Sequence, residues 1–526
     1  MTPSDTPILD PERRAGVSLH LTALPGAHGI GDIGDAALAF IDRLEAMEIS
    51  VWQFLPTGPT GYGDSPYQPF SAFAGNEMLI GLDPLVRRGL LTADEAGSLA
   101  DLPRDHVDYG ALIPRKAALL ERAADRLMAR DEGELKTGLE EFLHRHDAKW
   151  LHDYALFRIL KTRHGERPWT EWAQPLVRRE ADALRRAAEE SAHDLRRIKV
   201  LQYLFDRQWR QLHHRAREAG ITLFADIPIY IALDSSDAWA DREILQVDRD
   251  GRPAAVAGVP PDYFSADGQL WGNPLYDWAH HARTGYAWWI DRLAHAAAMS
   301  DLVRIDHFRG FEAYWAVPAG ETTARNGEWR PGPGDALFDA ISDALGHLPI
   351  VAEDLGVITP AVDALRLNHA IPGMKVLQFE IDDPEFDPAA VEENCVCYTG
   401  THDNDTTLGW FRGTGEDTRT PEEVLASQRR ALELTGGSPQ TIHHDVIRLA
   451  FSTPALLAVA PMQDFLGLGS EARVNIPGTT RDNWRWRVTE AQLSPAFCDQ
   501  VAALVRAGRR SPRDPATPAA RVEVSG

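Results

Sequence analysis

Apolar positions along the chain gather in short runs, each ending in polar or glycine-rich residues. Eight such runs predict strands at 17–24, 51–56, 222–228, 302–306, 350–354, 374–380, 395–401 and 456–463. Several are followed by helical patterns, 35–48 after the first and 360–368 after the fifth. Strands that alternate with helices predict an α/β fold, a (β/α)8 TIM barrel in preference to an open sheet.

Two intervals are too long for simple connections. The interval 61–219 is mainly helical in pattern, with apolar residues at three- and four-residue spacing in 115–130 and 180–218. The interval 231–299 is rich in Trp, Pro, Gly and Asp. Both are expected as insertions around one end of the barrel, within a catalytic unit spanning 15–505. The segments 1–14 and 508–526 have little to pack and are expected to be flexible extensions.

At about 150 residues per domain the length suggests three or four domains, but barrels with long insertions exceed that ratio. The net charge is −24, from 54 basic and 78 acidic residues. Such a surface repels phosphate backbones and anionic lipid, so no nucleic-acid or membrane partner is expected. The basic residues in 178–217 alternate with Glu and Asp and predict a solvated helix face. Three cysteines exclude a disulfide framework. No apolar run reaches the ~20 residues of a membrane span, and no signal core opens the sequence. A cytoplasmic protein is expected.

Carboxylates stand at the ends of several predicted strands: Asp226, Asp306, Glu353 and Asp403. In a parallel barrel those ends converge on one mouth. Arg304 and Asp306 are two apart and share a strand face. The guanidinium would lower the Asp306 pKa and hold it ionised, as a nucleophile needs; a structural ion pair is the alternative. Burial and the neighbouring Asp354 would raise the pKa of Glu353, as a general acid needs; a strand-end cap is the alternative. His402 and Asp403 open a polar cluster able to bind sugar hydroxyls or a metal. The histidine pairs 213–214, 280–281 and 443–444 are adjacent residues and lack metal-ligand spacing, so no metal is expected. The G-x-G-x-x-G at 29–34 is crowded by Asp32 and Asp35, which disfavours a phosphate. Aromatic residues beside Asp, Asn and Gln at 61–68, 260–264 and 268–273 suit sugars, which have apolar faces and hydroxyl rims.

The sequence resembles the amylomaltases, or 4-α-glucanotransferases, of glycoside hydrolase family 77. The resemblance spans roughly 15–505. It is carried by LHLTALPGAHGIGDIG (19–34), GPTGYGDSPYQPFSAFAGN (58–76), ADIPIY (225–230), PPDYFSADGQLWGNPLY (260–276), VRIDHFRGFEAYW (303–315), AEDLGVITP (352–360), PGMKVLQF (372–379) and TGTHDNDTTLGW (399–410). It implies a barrel of the α-amylase type and the transfer of α-1,4-glucan segments to glucose or another maltooligosaccharide. The chemistry would be a retaining double displacement without cofactor. It implies Asp306 as nucleophile, Glu353 as general acid/base and Asp403 as transition-state stabiliser. Asp226 and Arg304 would support the site, and His307 and His402 would bind hydroxyls at the cleavage point. Tyr62, Ser65, Tyr67, Asp262, Tyr263, Phe264, Gln269, Trp271 and Asn273 match loop positions associated with the glucan. Asn475, Asn483 and Trp484 match the C-terminal pattern. The departures are Pro69, Glu77 and Asp482, where Ser, Pro and Gly are expected. The partners implied are maltooligosaccharides, glucose and α-1,4-glucans, with the protein a monomer or weak homo-oligomer. An α-amylase-type hydrolase and a catalytically silent glucan-binding protein are the rival readings. A silent protein would lack one of the three carboxylates, and all three are present.

Overall fold

The computed structural model describes residue 9 and residues 12–261, 267–346, 349–414, 419–479 and 481–512, and the backbone alone of Tyr62. Twelve strands occur among them: β1 Arg14–Ser18, β2 Val51–Gln53, β3 Thr222–Pro228, β4 Ala255–Val259, β5 Gln269–Pro274, β6 Leu302–Asp306, β7 Ala313–Pro318, β8 Glu328–Pro331, β9 Ile350–Ala352, β10 Gly373–Val376, β11 Cys395–Tyr398 and β12 Leu457–Pro461.

Eight of these strands form a parallel sheet in the order β10-β11-β12-β1-β2-β3-β6-β9. They are the eight runs expected from the sequence. The Ala352 N–H donates to the Pro372 carbonyl at 2.9 Å, which brings β9 against the start of β10 and closes the barrel. Val51, Phe224, Leu302, Val351, Met374, Val376, Val396 and Leu457 fill its interior. Several predicted runs extend past the observed strand, because the polypeptide turns into helix or loop at the mouth. Residues Leu377–Glu380, expected as strand, form a helical turn.

The four-stranded antiparallel sheet β5-β4-β7-β8 was not expected from the sequence. Its apolar face packs in one cluster with Ile229, Tyr230, Ile305, Phe308 and Phe311, just beyond β3 and β6. The sheet therefore stands beside the mouth and carries Trp271 toward it.

Between β2 and β3 lie the helices Tyr109–Met128, Glu134–His146, His152–Arg163, Ala181–Glu190 and Ala192–Glu218. The continuous pattern at 180–218 is broken at Ser191, whose hydroxyl donates back to the Ala187 carbonyl at 2.7 Å. The arginines here reach acids on neighbouring helices: Arg197 to Asp125, Arg207 to Glu134 and Arg215 to Asp42. Glu77, one of the departures, accepts from Tyr154 at 2.7 Å and Gln202 at 3.0 Å, tying the loop to two helices.

The glycines at 29–34 serve close packing. A Cβ on Gly31 would lie 2.0 Å from the Leu21 carbonyl oxygen. Asp32 is buried and accepts from the Gly34 N–H at 2.9 Å. Of the two terminal segments, the described residues pack on the barrel. Leu9 joins the inner core. Arg13 and Arg510 donate to the Thr453 carbonyl at 2.8 and 3.0 Å. These guanidiniums satisfy carbonyls left open where helix Ile442–Ser452 ends.

Candidate active site

The register of three neighbouring strands builds the floor of the site. Asp226 on β3 pairs with Arg304 on β6, and Ile305 pairs with Ala352 on β9. Glu353, one residue past β9, thus comes beside Asp306 at the end of β6. Its N–H donates to the Ile305 carbonyl at 3.0 Å. Arg304 and Asp306 share a strand face, as the i, i+2 spacing requires. The Arg304 guanidinium donates to Asp226 Oδ2 and, at 2.8 Å, to Asp306 Oδ1. Asp226 is sealed from solvent, whereas Asp306 keeps 32% of its side chain open. Of these two carboxylates, only Asp306 can meet a substrate.

His307 takes a left-handed conformation, with φ 59° and ψ 48°. A non-glycine residue pays for that conformation in steric strain. In this pose its N–H donates to Glu353 Oε2 at 2.7 Å, while the Leu355 N–H donates to Oε1 at 2.9 Å. The acid/base candidate is therefore gripped by backbone on both oxygens.

The electrostatics differ from the sequence expectation in two ways. Asp306 was expected below its ordinary value; burial outweighs the Arg304 guanidinium and lifts it to about 6. Glu353 goes further, to about 8, through burial and then the charge of Asp306. The expected influence of Asp354 is absent from those causes: Asp354 instead faces Arg366 at 3.3 Å and accepts from the Met374 N–H at 2.8 Å. The order of the pair survives. Near neutral pH Glu353 keeps its proton while Asp306 is mostly ionised. Burial also drops His307 to about 3, so its ring is neutral.

A second wall faces this floor. The Tyr67 hydroxyl donates to Asp226 Oδ2 at 2.7 Å, and its ring stacks on His402 at 4.9 Å. Trp484 leans on both rings, at 6.0 Å from Tyr67 and 5.9 Å from His402. Asp403 is half exposed, and its Oδ1 accepts from Asn475 Nδ2 at 2.6 Å. Arg473 donates to the Asp403 carbonyl at 2.7 Å.

The remaining expected residues divide. Trp271 meets His307 edge-on at 4.7 Å and donates to Gln269 Oε1 at 3.1 Å. Asn273 is buried, accepting from Gln68 at 3.1 Å and donating to the Ile231 carbonyl at 2.9 Å, so it braces the loop from within. Ser65 accepts from the Tyr67 N–H at 3.3 Å and shapes the turn that delivers Tyr67. Asp262, Tyr263 and Phe264, and the side chain of Tyr62, lie outside the described residues. Arg473 was not singled out from the sequence. It is a lone arginine in coil bonded to carbonyls, which leaves no pattern. Among the described residues no group of three His, Cys, Asp or Glu side chains could hold a metal ion.

Compared with known proteins, residues 19–493 match the family described as 4-alpha-glucanotransferase. A 4-alpha-glucanotransferase of Thermus thermophilus is 45% identical over 505 residues, covering 95% of this chain and 99% of that one. One from a Synechocystis strain is 46% identical over 490 residues, covering 92% and 95%. The amylomaltase of Streptococcus agalactiae, solved in complex with acarbose, is 36% identical. It superposes with a TM-score of 0.90, covering 95% of this chain and 100% of that one.

Proposed function

The chain belongs to the 4-alpha-glucanotransferase family and is an enzyme of that activity, and on that premise we propose that it works by retaining double displacement on Asp306, Glu353 and Asp403. The observation that carries this reading is the strand register. It sets an open carboxylate on a guanidinium anchor directly beside a carboxyl group that keeps its proton. Arg304 holds Asp306 Oδ1, and Oδ2 attacks the anomeric carbon. As that bond forms, the glycosidic C–O bond breaks and Glu353 gives its proton to the leaving oxygen. The 4-hydroxyl of the acceptor then returns a proton to Glu353 and attacks the same carbon, displacing Asp306. Two inversions restore the α configuration, which calls for carboxyl groups about 5–5.5 Å apart. Asp403 hydrogen-bonds hydroxyls of the sugar most strongly in the oxocarbenium-like state. His307, neutral, and His402 bind hydroxyls at the cleavage point.

The substrates are maltooligosaccharides and α-1,4-glucans, with glucose as the smallest acceptor. The acarbose in the streptococcal structure supports this class of ligand. Among the described residues no helix is long and apolar enough to cross a membrane. We place the protein in the cytoplasm, as a monomer or weak homo-oligomer. Incubation with maltotriose should release glucose together with a ladder of longer chains. Glucose and maltose alone, without longer products, would convert the reading to an α-amylase-type hydrolase.

A further inference from the structure

Asp403 differs from the other two carboxylates in what holds it. Asp306 ends β6, and Glu353 follows β9 by one residue. Asp403 lies in a bend beyond β11, with 49% of its side chain open to solvent. Packing alone cannot fix a side chain that exposed. A group that must recognise a transition state has to be held within about 0.5 Å and 10–20° of its working pose. The position must therefore come from polar links.

Within its own loop the Asp403 N–H donates to Thr401 Oγ1 at 3.3 Å and Oδ1 lies 3.4 Å from His402 Nε2, and the links to the C-terminal segment converge on Arg473. Arg473 Nη2 donates to the Asp403 main-chain carbonyl at 2.7 Å. Arg473 Nε donates to the Asn475 carbonyl at 2.9 Å. Asn475 in turn donates its amide to Asp403 Oδ1 at 2.6 Å. One planar guanidinium thus fixes both the backbone that carries the carboxylate and the backbone that carries the carboxylate's own donor. A third tie lies three residues upstream, where the Ser470 hydroxyl donates to Asp405 Oδ2 at 2.6 Å. The grip is on carbonyls, so the positive head does not compete with sugar hydroxyls for the Asp403 carboxylate.

We propose that Arg473 is a positioning residue of the transfer reaction, one that sets the pose of Asp403 by clamping the Asp403 and Asn475 carbonyls together. The proposal rests on the reading of Asp403 as the group that stabilises the transition state. Arg473 acts through Asp403, so its loss should fall on turnover and leave ground-state binding nearly intact. A planar fork that spans two carbonyls is not replaced by an ammonium, which reaches one.

The test compares Arg473→Ala, Arg473→Lys and Asp403→Asn in the full chain, with maltotriose as substrate. Arg473→Ala should lower kcat by about 30- to 100-fold, with KM within about threefold and an unchanged thermal midpoint. Arg473→Lys should recover part of the loss. Guanidinium ion added at sub-denaturing concentration should restore Arg473→Ala at least severalfold and do nothing for Asp403→Asn. If Arg473→Ala keeps wild-type kcat while Asp403→Asn is inactive, the inference fails and the reading of Asp403 stands. If Asp403→Asn itself turns over normally, the reading of Asp403 fails. If Arg473→Ala loses activity together with its thermal midpoint, and neither Arg473→Lys nor guanidinium recovers turnover, Arg473 is a structural residue and the inference is overturned.

Discussion

Asp226, Arg304 and Asp306 stand on two neighbouring strands and Glu353 just past a third, and Tyr67, His402, Asp403 and Trp484 stand on loops that face them. In the first region hydrogen-bonded register does the positioning. Moving any one of those side chains would mean slipping a strand of the barrel. In the second region side chains bond to the floor, to each other and to backbone: Tyr67 to Asp226, Asn475 to Asp403, Arg473 to the Asp403 carbonyl. The floor is fixed by the fold itself, and the wall by a few discrete links. Substitutions in the floor should therefore carry folding and chemistry together, while substitutions in the wall should separate them.

The floor offers the largest effects. Asp306→Asn should cut glucose release from maltotriose by about 10⁴-fold or more, as expected for loss of a nucleophile. A residual rate within tenfold of wild type would remove Asp306 from that role. Arg304→Ala leaves Asp226 buried without its cation and should cost about 3–5 kcal/mol in urea unfolding. A loss below about 1 kcal/mol would mean that the floor does not depend on this ion pair.

A milder probe is pH. As Glu353 is raised above Asp306, kcat/KM should be highest between about 6 and about 8. It should fall about tenfold per pH unit on the acid side as Asp306 takes a proton, and on the alkaline side as Glu353 loses one. Glu353→Gln should abolish the alkaline limb with most of the activity. An optimum with no alkaline limb below pH 10 in the wild type would contradict the assignment of the acid. The smallest effect belongs to the wall. Asp482 stands at φ 61°, in the left-handed region where glycine is free of strain. Asp482→Gly should raise stability by about 0.5 kcal/mol, the relieved strain less glycine's extra chain entropy and the Asp482–Arg485 contact. Destabilisation in thermal unfolding would show that the ion pair outweighs the backbone.

The same contrast governs what can be read from the sequence. Parallel strands covered on both sides are nearly continuous apolar runs, so all eight barrel strands stand out in their order. Their terminal carboxylates then fall on one mouth by topology. β4, β5, β7 and β8 are as a group no shorter than the barrel strands, but polar or chain-breaking residues interrupt or end them: Gly258 in β4, Gln269, Gly272 and Pro274 in β5, Pro318 in β7, and Glu328, Arg330 and Pro331 in β8. Such stretches read as loop, because neither a continuous apolar run nor a strict alternation marks them. Asp306 shows a different limit. The spacing identifies its cation but says nothing of burial depth, and burial decides the direction of its shift. Arg473 shows a third, since a bond to a carbonyl asks nothing of the partner's side chain.

Trp484 brings a consequence for biosynthesis. The Tyr109 hydroxyl donates to the Trp484 carbonyl across 375 residues of sequence. Nearby, the Val107 N–H donates to the Arg485 carbonyl at 2.7 Å, and the Arg487 N–H to the Asp105 carbonyl at 2.9 Å. Tyr67 and its loop are thus made early by the ribosome, and the segment that completes their wall is made late. A nascent chain holds Asp306, Glu353 and Asp403 well before Trp484 emerges to close the cleft around them. The wall around the three carboxylates is accordingly completed only after Trp484 has been added to the growing chain.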